Sequence, residues 1–105
     1  MQKDFEQRVL DIVKNIPYGK VTTYREISMV CGLRASARMV GWMLSRNANL
    51  DLPFHRVVNR NGALTGKHHF ETPTLMKELL ISEGITFKDN NVELEKFLWH
   101  PENEI

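Results

Sequence analysis

Leu52-Pro53-Phe54-His55-Arg56-Val57-Val58-Asn59-Arg60-Asn61-Gly62 holds, in order, a proline, an aromatic, a His-Arg pair, a β-branched run and an Asn-Gly pair. Pro53 locks one backbone angle and removes a donor, so the residues after it leave along a restricted path. Val57-Val58 favour a short strand, and Asn61-Gly62 favour the tight turn of a β-hairpin. Phe54 sits between the proline and the strand, beside two side chains that carry or accept positive charge. On these residues alone it reads either as the wall of a rigid pocket or as a loop aromatic that plugs the core.

Working outward, a chain of 105 residues supports one small domain with a single modest core, expected to span 1–105. Its 42% hydrophobic and 26% charged residues are those of a globular chain, which excludes a disordered tail. No apolar run approaches the roughly 18 residues of a membrane span, and residues 1–16 lack the apolar centre of a signal peptide. A cytoplasmic, nucleoid-associated protein without membrane contact is the expectation. The lone Cys31 excludes an internal disulfide and a multi-cysteine zinc site.

The net charge of +1 conceals a segregation. Tyr18 to His69 carries eight Lys/Arg (Lys20, Arg25, Arg34, Arg38, Arg46, Arg56, Arg60, Lys67) against Glu26 and Asp51, while the remainder is acidic. A one-sided field in the segment that also holds the motifs fits a phosphate-binding face.

Phe5, Val9, Ile12, Val13 and Ile16 recur at helical steps, which predicts a helix over 3–16, stopped by Pro17-Tyr18-Gly19. Thr22 or Thr23 suits a helix start, and Glu26 follows Thr23 by three as in a capping box. A helix from Tyr24 to about Val30, a turn at Cys31-Gly32 and a helix from Ala35-Ser36 to about Asn47 give a helix-turn-helix pattern. On the second helix, Ala37, Val40, Gly41 and Leu44 form the expected core face; Arg38, Trp42 and Ser45 form an exposed one. Thr72-Pro73 is expected to cap a last helix, Thr74 to Glu83, ended by Gly84. Trp99 reads as core and Pro101 to Ile105 as a frayed end.

Pro53-Phe54-His55-Arg56-Val57 resembles the Pro-Cys-His-Arg-Val signature of the O6-alkylguanine-DNA alkyltransferases, with Phe54 where the cysteine stands. Alkyltransferase-like proteins, the non-enzymatic relatives, carry an aromatic or small residue there. Ala35-Ser36-Ala37-Arg38-Met39-Val40-Gly41 is similar to the family's recognition-helix motif, and the likeness runs from about Phe5 to Trp99. The resemblance implies a mostly α fold with a short β-hairpin, a winged helix-turn-helix-like DNA-binding domain of the alkyltransferase C-terminal type. It implies a helix in the minor groove whose Arg38 fills the space of an extruded guanine, and a Tyr24 that helps rotate the flipped nucleotide's phosphate. Thr23, Ser36, Trp42 and Arg46 complete the expected DNA-contacting set; Trp42 departs from the small residue usual there, and either packs on the next segment or touches DNA.

The implied lesion pocket comprises Phe54, His55, Val57, Lys67 and Glu83, with Glu83 matching the glutamate that orients the histidine base. Lys67 lies in a segment, Ala63 to Thr72, that resembles the loop covering the flipped base but departs from its Ser-Gly-Gly chemistry. Asn47 is the implied hinge that braces the turn before the active-site loop. His68-His69 lacks a third ligand, so no metal is expected, nor any cofactor. Alkyl transfer needs a thiolate, and Phe54 has no nucleophilic atom. The implied partner is double-stranded DNA with alkylated guanine, bound by a monomer and passed to nucleotide excision repair. A helix-turn-helix regulator, or an enzyme of altered mechanism using His55 and Glu83, remains the alternative on the residues alone.

Overall fold

The computed structural model describes residues 2–32 and 36–101. The first helix, α1, spans Gln2–Lys14 and buries Val9, Ile12 and Val13. It stops short of Ile16 because the residue before a proline is pushed out of the helical region. Asn15 and Ile16 instead donate their N–H groups three residues back, to the Ile12 and Val13 carbonyls (3.1 and 3.2 Å), which tightens the exit and still buries Ile16.

After the Pro17–Gly19 turn, β1 (Thr22–Thr23) runs directly into α2 (Tyr24–Cys31). Thr23 Oγ1 accepts from the Glu26 N–H at 3.0 Å, the expected cap. The reciprocal half of the box is replaced: the Glu26 carboxylate meets His100 Nδ1 at 3.0 Å. Gly32, at φ +110°, ends the helix in a conformation that disfavours any side chain. The next helix, α3, covers Ala37–Arg46, with Ser36 Oγ capping the Met39 N–H at 3.0 Å. Arg34 and Ala35 lie outside the described residues. α3 buries Val40, Met43 and Leu44, which pack with Ile27 and Cys31 of α2. The expected core face is therefore corrected at one end. Ala37 is exposed and Met43 is buried, because α3 turns Gly41 toward the Tyr24 ring and leaves Ala37 over open space.

The strand expected at Val57-Val58 forms, as β2, but not as half of a hairpin. It pairs parallel with β1, Thr22 opposite Val57 and Thr23 opposite Val58. The turn expected at Asn61-Gly62 does form: the Gly62 N–H donates to the Asn59 carbonyl (2.9 Å) and the Asn59 N–H to the Ala63 carbonyl (3.0 Å), and a side chain reinforces it. Asn59 Oδ1 accepts from the Asn61 and Ala63 N–H groups (2.9 and 2.8 Å), an arrangement asparagine provides readily. The hairpin lies later, between β3 (Phe87–Lys88) and β4 (Asn91–Val92). Asp89 and Asn90 form its two-residue loop, both at positive φ (54° and 67°), the primed geometry that matches strand twist.

α4 spans Leu75–Ser82, and its start also departs from expectation. Thr74 rather than Thr72 is the cap residue, and its hydroxyl donates to Glu78 Oε2 (2.7 Å) instead of capping the backbone. A one-turn helix, α5 (Leu94–Phe97), precedes the closing segment. There Val21 donates to the Phe97 carbonyl (3.0 Å) and accepts from the Trp99 N–H (2.7 Å), so the C-terminal strap lies beside β1. Trp99 packs against the α1–α3 cluster, and Pro101 is buried rather than frayed. Residues 102–105 lie outside the described residues.

Two apolar clusters result. Val57 joins the α1–α2–α3 cluster, whereas Val58 joins Val21, Met76, Leu80, Ile85 and Val92. Adjacent strand residues point to opposite faces, so β2 is the partition between the two cores. Gly62 holds that partition against the hairpin. It sits at φ +85°, its carbonyl accepts from Val92, and a Cβ there would lie 2.5 Å from the Val92 carbonyl oxygen. Gly62→Ala should therefore destabilise by about 3 kcal/mol or more, through combined backbone strain and overlap. Urea unfolding would show this as a lower midpoint at unchanged slope.

Candidate nucleic-acid interface

The N-terminus of α2, one face of α3 and the segment from Phe54 to Phe70 enclose an open cavity of about 590 Å³. That is within the range of small-molecule sites, roughly 300–1,000 Å³. Its apolar wall is made by Phe54, Leu44, Gly41 and Phe70, and its polar edge by Tyr24, Asn59, Thr65 and His69. Arg25, Arg38 and Arg60, all exposed, complete the lining, and no carboxylate belongs to it. Among the described residues these three guanidinium groups have no carboxylate partner, and around one concave site they make a positive field at its mouth that draws anions.

Tyr24 is the hinge of this wall. It is half-buried, starting α2 at one end of the cavity while its ring faces Gly41. Burial pushes its phenol above the ordinary value of 10, with a hydrogen bond to Thr65 pulling the other way. It therefore stays a neutral donor at physiological pH. Gly66, in the 3-10 segment Thr65–His69, lets that segment close on the hydroxyl: a Cβ there would sit 3.2 Å from Tyr24 Oη.

Phe54 opens a 3-10 turn, Phe54–Arg56, whose successive side chains point in different directions. Phe54 faces the cavity and packs partly against the α1–α3 core. The other two side chains of the turn meet Glu83, at the C-terminus of α4. His55 Nε2 lies 2.6 Å from Glu83 Oε2; Arg56 donates from Nε to Oε1 (3.0 Å) and from Nη2 to Oε2 (2.9 Å). The Gly19 N–H donates to Oε1 at 2.9 Å, and Arg56 Nη1 donates to the Ile16 carbonyl at 2.9 Å. The Glu83 side chain is only 5% exposed. Burial alone would raise its carboxyl, but the donors from Arg56, Gly19 and His55 prevail and hold it at about 2. One carboxylate thus ties together the Phe54 turn, the end of α4 and the turn after α1.

The structure brings some of the expected site residues together and separates others. Phe54, Tyr24 and Arg38 share the cavity. His55, Val57, Lys67 and Glu83 do not line it. His55 and Glu83 meet behind Phe54, Val57 is in the core, and Lys67 faces a separate groove with His68, Lys77 and Asn90. The adjacent His68 and His69 thus part to different cavities. Among the described residues no three His, Cys, Asp or Glu side chains gather as a metal would need. Thr23 and Ser36 use their side-chain oxygens as caps; Thr23 is 4% exposed and so is withdrawn from any ligand. Arg46 is paired with Glu6 (3.1 Å) and stacked on Trp42 (4.6 Å to the ring centre), so its charge is already matched. Asn47 sits in the turn before the Phe54 segment, where its carbonyl accepts from the Leu50 N–H (3.0 Å), while its side chain ties that turn to α1, donating from Nδ2 to Glu6 Oε2 (2.6 Å) and to the Met43 carbonyl (2.7 Å). Cys31 is buried, and burial raises its thiol above the ordinary value, which favours the protonated form over the thiolate.

No motif marks Arg25, Arg60 or Asn59 as site residues, and His69 stands out in the sequence only as half of the His68-His69 pair. The signal for the two arginines was the charge segregation between Tyr18 and His69. For Asn59 and His69 no local pattern marks the role.

A carboxyl depressed in the folded state stabilises above its unfolded value and loses that contribution as pH falls through the folded one. For Glu83 the window runs from about pH 4.5 down to about 2, and the contribution is on the order of 3 kcal/mol. Glu83→Gln should lower stability at neutral pH by about 3–5 kcal/mol, since it leaves Arg56 buried and unmatched, and should flatten the acid limb. Denaturant midpoints measured from pH 7 to pH 2 would check both.

The chain matches the family "6-O-methylguanine DNA methyltransferase, DNA binding domain" over residues 4–85. It is 38% identical to the DNA base-flipping protein of Escherichia coli over 108 residues, covering 95% of this chain and 79% of that one. It is 31% identical to alkyltransferase-like protein 1 of Schizosaccharomyces pombe, covering 93% and 96%. A crystal structure of that yeast protein with damaged DNA containing O6-carboxymethylguanine superposes with a TM-score of 0.76 at 29% identity, over 92% of this chain and 95% of that one. No described helix is long and apolar enough to cross a membrane. With Phe54 in place of a thiol at the cavity wall, the chain belongs to the alkyltransferase-like members of the 6-O-methylguanine DNA methyltransferase DNA-binding-domain family.

Proposed function

We propose that this protein binds double-stranded DNA containing O6-alkylguanine, takes the modified base into the cavity between α3 and the Phe54 turn, and holds it without alkyl transfer. The observation that carries this reading is an open cavity of about 590 Å³, rimmed by Arg25, Arg38 and Arg60, whose wall at position 54 is a ring with no nucleophilic atom. Extruding a nucleotide costs a few kcal/mol, least at a damaged pair. Arg38, exposed on α3, offers a planar cation that stacks in the vacancy and still donates to the orphaned base. The neutral Tyr24 hydroxyl donates to a phosphate at the cavity edge. Phe54 presents an apolar face to the alkyl group, and each buried CH₂ adds about 0.8 kcal/mol, which favours larger adducts at least as much as methyl.

The likeness to a yeast relative crystallised on DNA with O6-carboxymethylguanine supports the same ligand class. Since Phe54 accepts no alkyl group, removal of the lesion falls to other machinery. On this reading the protein works as a single-domain monomer in the DNA-containing cytoplasm and passes the site to nucleotide excision repair.

Competition between an O6-methylguanine duplex and its matched guanine duplex tests the proposal, with intact protein mass recorded afterwards. Preferential retention at unchanged mass is expected; equal retention, or a mass gain of one methyl group, would overturn it. Arg38→Ala should lose roughly ten-fold or more of the lesion preference. Arg25 and Arg60 at phosphates give a log–log salt slope of about −2 for the intact protein, and a flat response would remove the arginine rim from the interface.

A further inference from the structure

Trp42 is 59% exposed, although a large aromatic in water forfeits the stabilisation of burial. It stands four residues after Arg38, and so about 6 Å farther along the same side of α3. Its orientation is set from below. The Arg46 guanidinium lies 4.6 Å from the ring centre, Arg46 Nε is 3.1 Å from Glu6 Oε2, and the same oxygen accepts from Asn47 Nδ2 at 2.6 Å. One face of the indole is thus covered by a cation that α1 holds in place, and the remaining surface is left to solvent. Neither apolar cluster includes Trp42 among its packed neighbours.

We infer that Trp42 is a second DNA-contacting element on α3, an aromatic surface that packs on the sugars and bases flanking the vacated position, with Arg46 as its positioning residue. This rests on the proposed mode of DNA binding and deepens it. The argument is one of continuity and of chemistry. Arg38, Gly41, Leu44 and Ser45 of the same helix line the cavity, so a duplex that delivers a base there passes over the adjoining turn of α3. A flat, preordered π surface suits nucleotides irrespective of sequence, because every base and every sugar offers it an apolar face. Ordering the side chain before binding removes an entropic cost from the complex. Since the Arg46 charge is matched by Glu6, the contact is non-ionic and independent of the lesion. Arg38 then supplies discrimination, and Trp42 supplies affinity for any duplex.

The two roles separate experimentally. Trp42→Ala should weaken binding to lesion-bearing and lesion-free duplexes by the same factor, roughly ten-fold, with the salt slope unchanged. Trp42→Phe should recover most of that loss. Arg46→Ala should weaken binding in the parent but cost nothing further in the Trp42→Ala background. In a Trp99→Phe protein, where Trp42 is the remaining tryptophan of the two, lesion-free duplex should quench its emission. Wild-type affinity in a folded Trp42→Ala protein would overturn the inference, as would a loss accompanied by a flatter salt slope or an emission indifferent to DNA. Failure of the base-flipping reading itself reads out differently: the unmodified protein would show no preference for the lesion, while the lesion-free arm would still report on Trp42.

Discussion

The contact on which the binding face depends is the Glu83 carboxylate, enclosed by Arg56, His55 and the Gly19 N–H. It joins three pieces of chain that are remote in sequence, and it does so on the far side of the turn that carries Phe54. A buried carboxylate with this many donors is costly to dismantle, because each partner left behind would be desolvated without compensation. The Phe54 ring is therefore held in register with α3 by an ionic knot that never enters the cavity. In a nucleophilic relative the same His–Glu pair would serve chemistry; here its described contacts are those of a brace.

A rigid wall on one side and a polar segment on the other leave space between them, and the charge distribution decides what fills it. The arginines at the rim are free of carboxylate partners among the described residues, whereas Arg46 and Arg56, equally basic in sequence, are paired with Glu6 and Glu83. The paired cations support the fold and the unpaired ones face outward. On the proposed function, affinity for a polyanion resides in the second group, while the first sets where the aromatic side chains Trp42 and Phe54 stand.

Much of this was legible locally. Helical periodicity, Thr23 as a cap and Gly32 as a terminator follow from short-range sterics and hydrogen bonding, which a few neighbouring residues determine. The identity of Phe54 settled the chemistry, because no fold can supply a nucleophile that the side chain lacks. The hairpin was misplaced for a reason that is not local. Asn61-Gly62 carries the strongest short-range turn signal and does turn the chain, yet β2 pairs with the distant β1, and the weaker Asp89-Asn90 pair makes the hairpin.

Only the tertiary structure decided which side of each element faces the cavity. Phe54, His55 and Arg56 are consecutive, and their divergence comes from a 3-10 turn anchored by a carboxylate 27 residues from Arg56. The same holds for Thr23, withdrawn into a cap, for Lys67, turned to a separate groove, and for Asn47, which reaches back to Glu6 across 41 residues. Composition and motif determined that this chain is a small basic-faced helical domain without a thiol at its pocket. Which cations remain unpaired is a property of long-range pairing, and no local pattern encodes it.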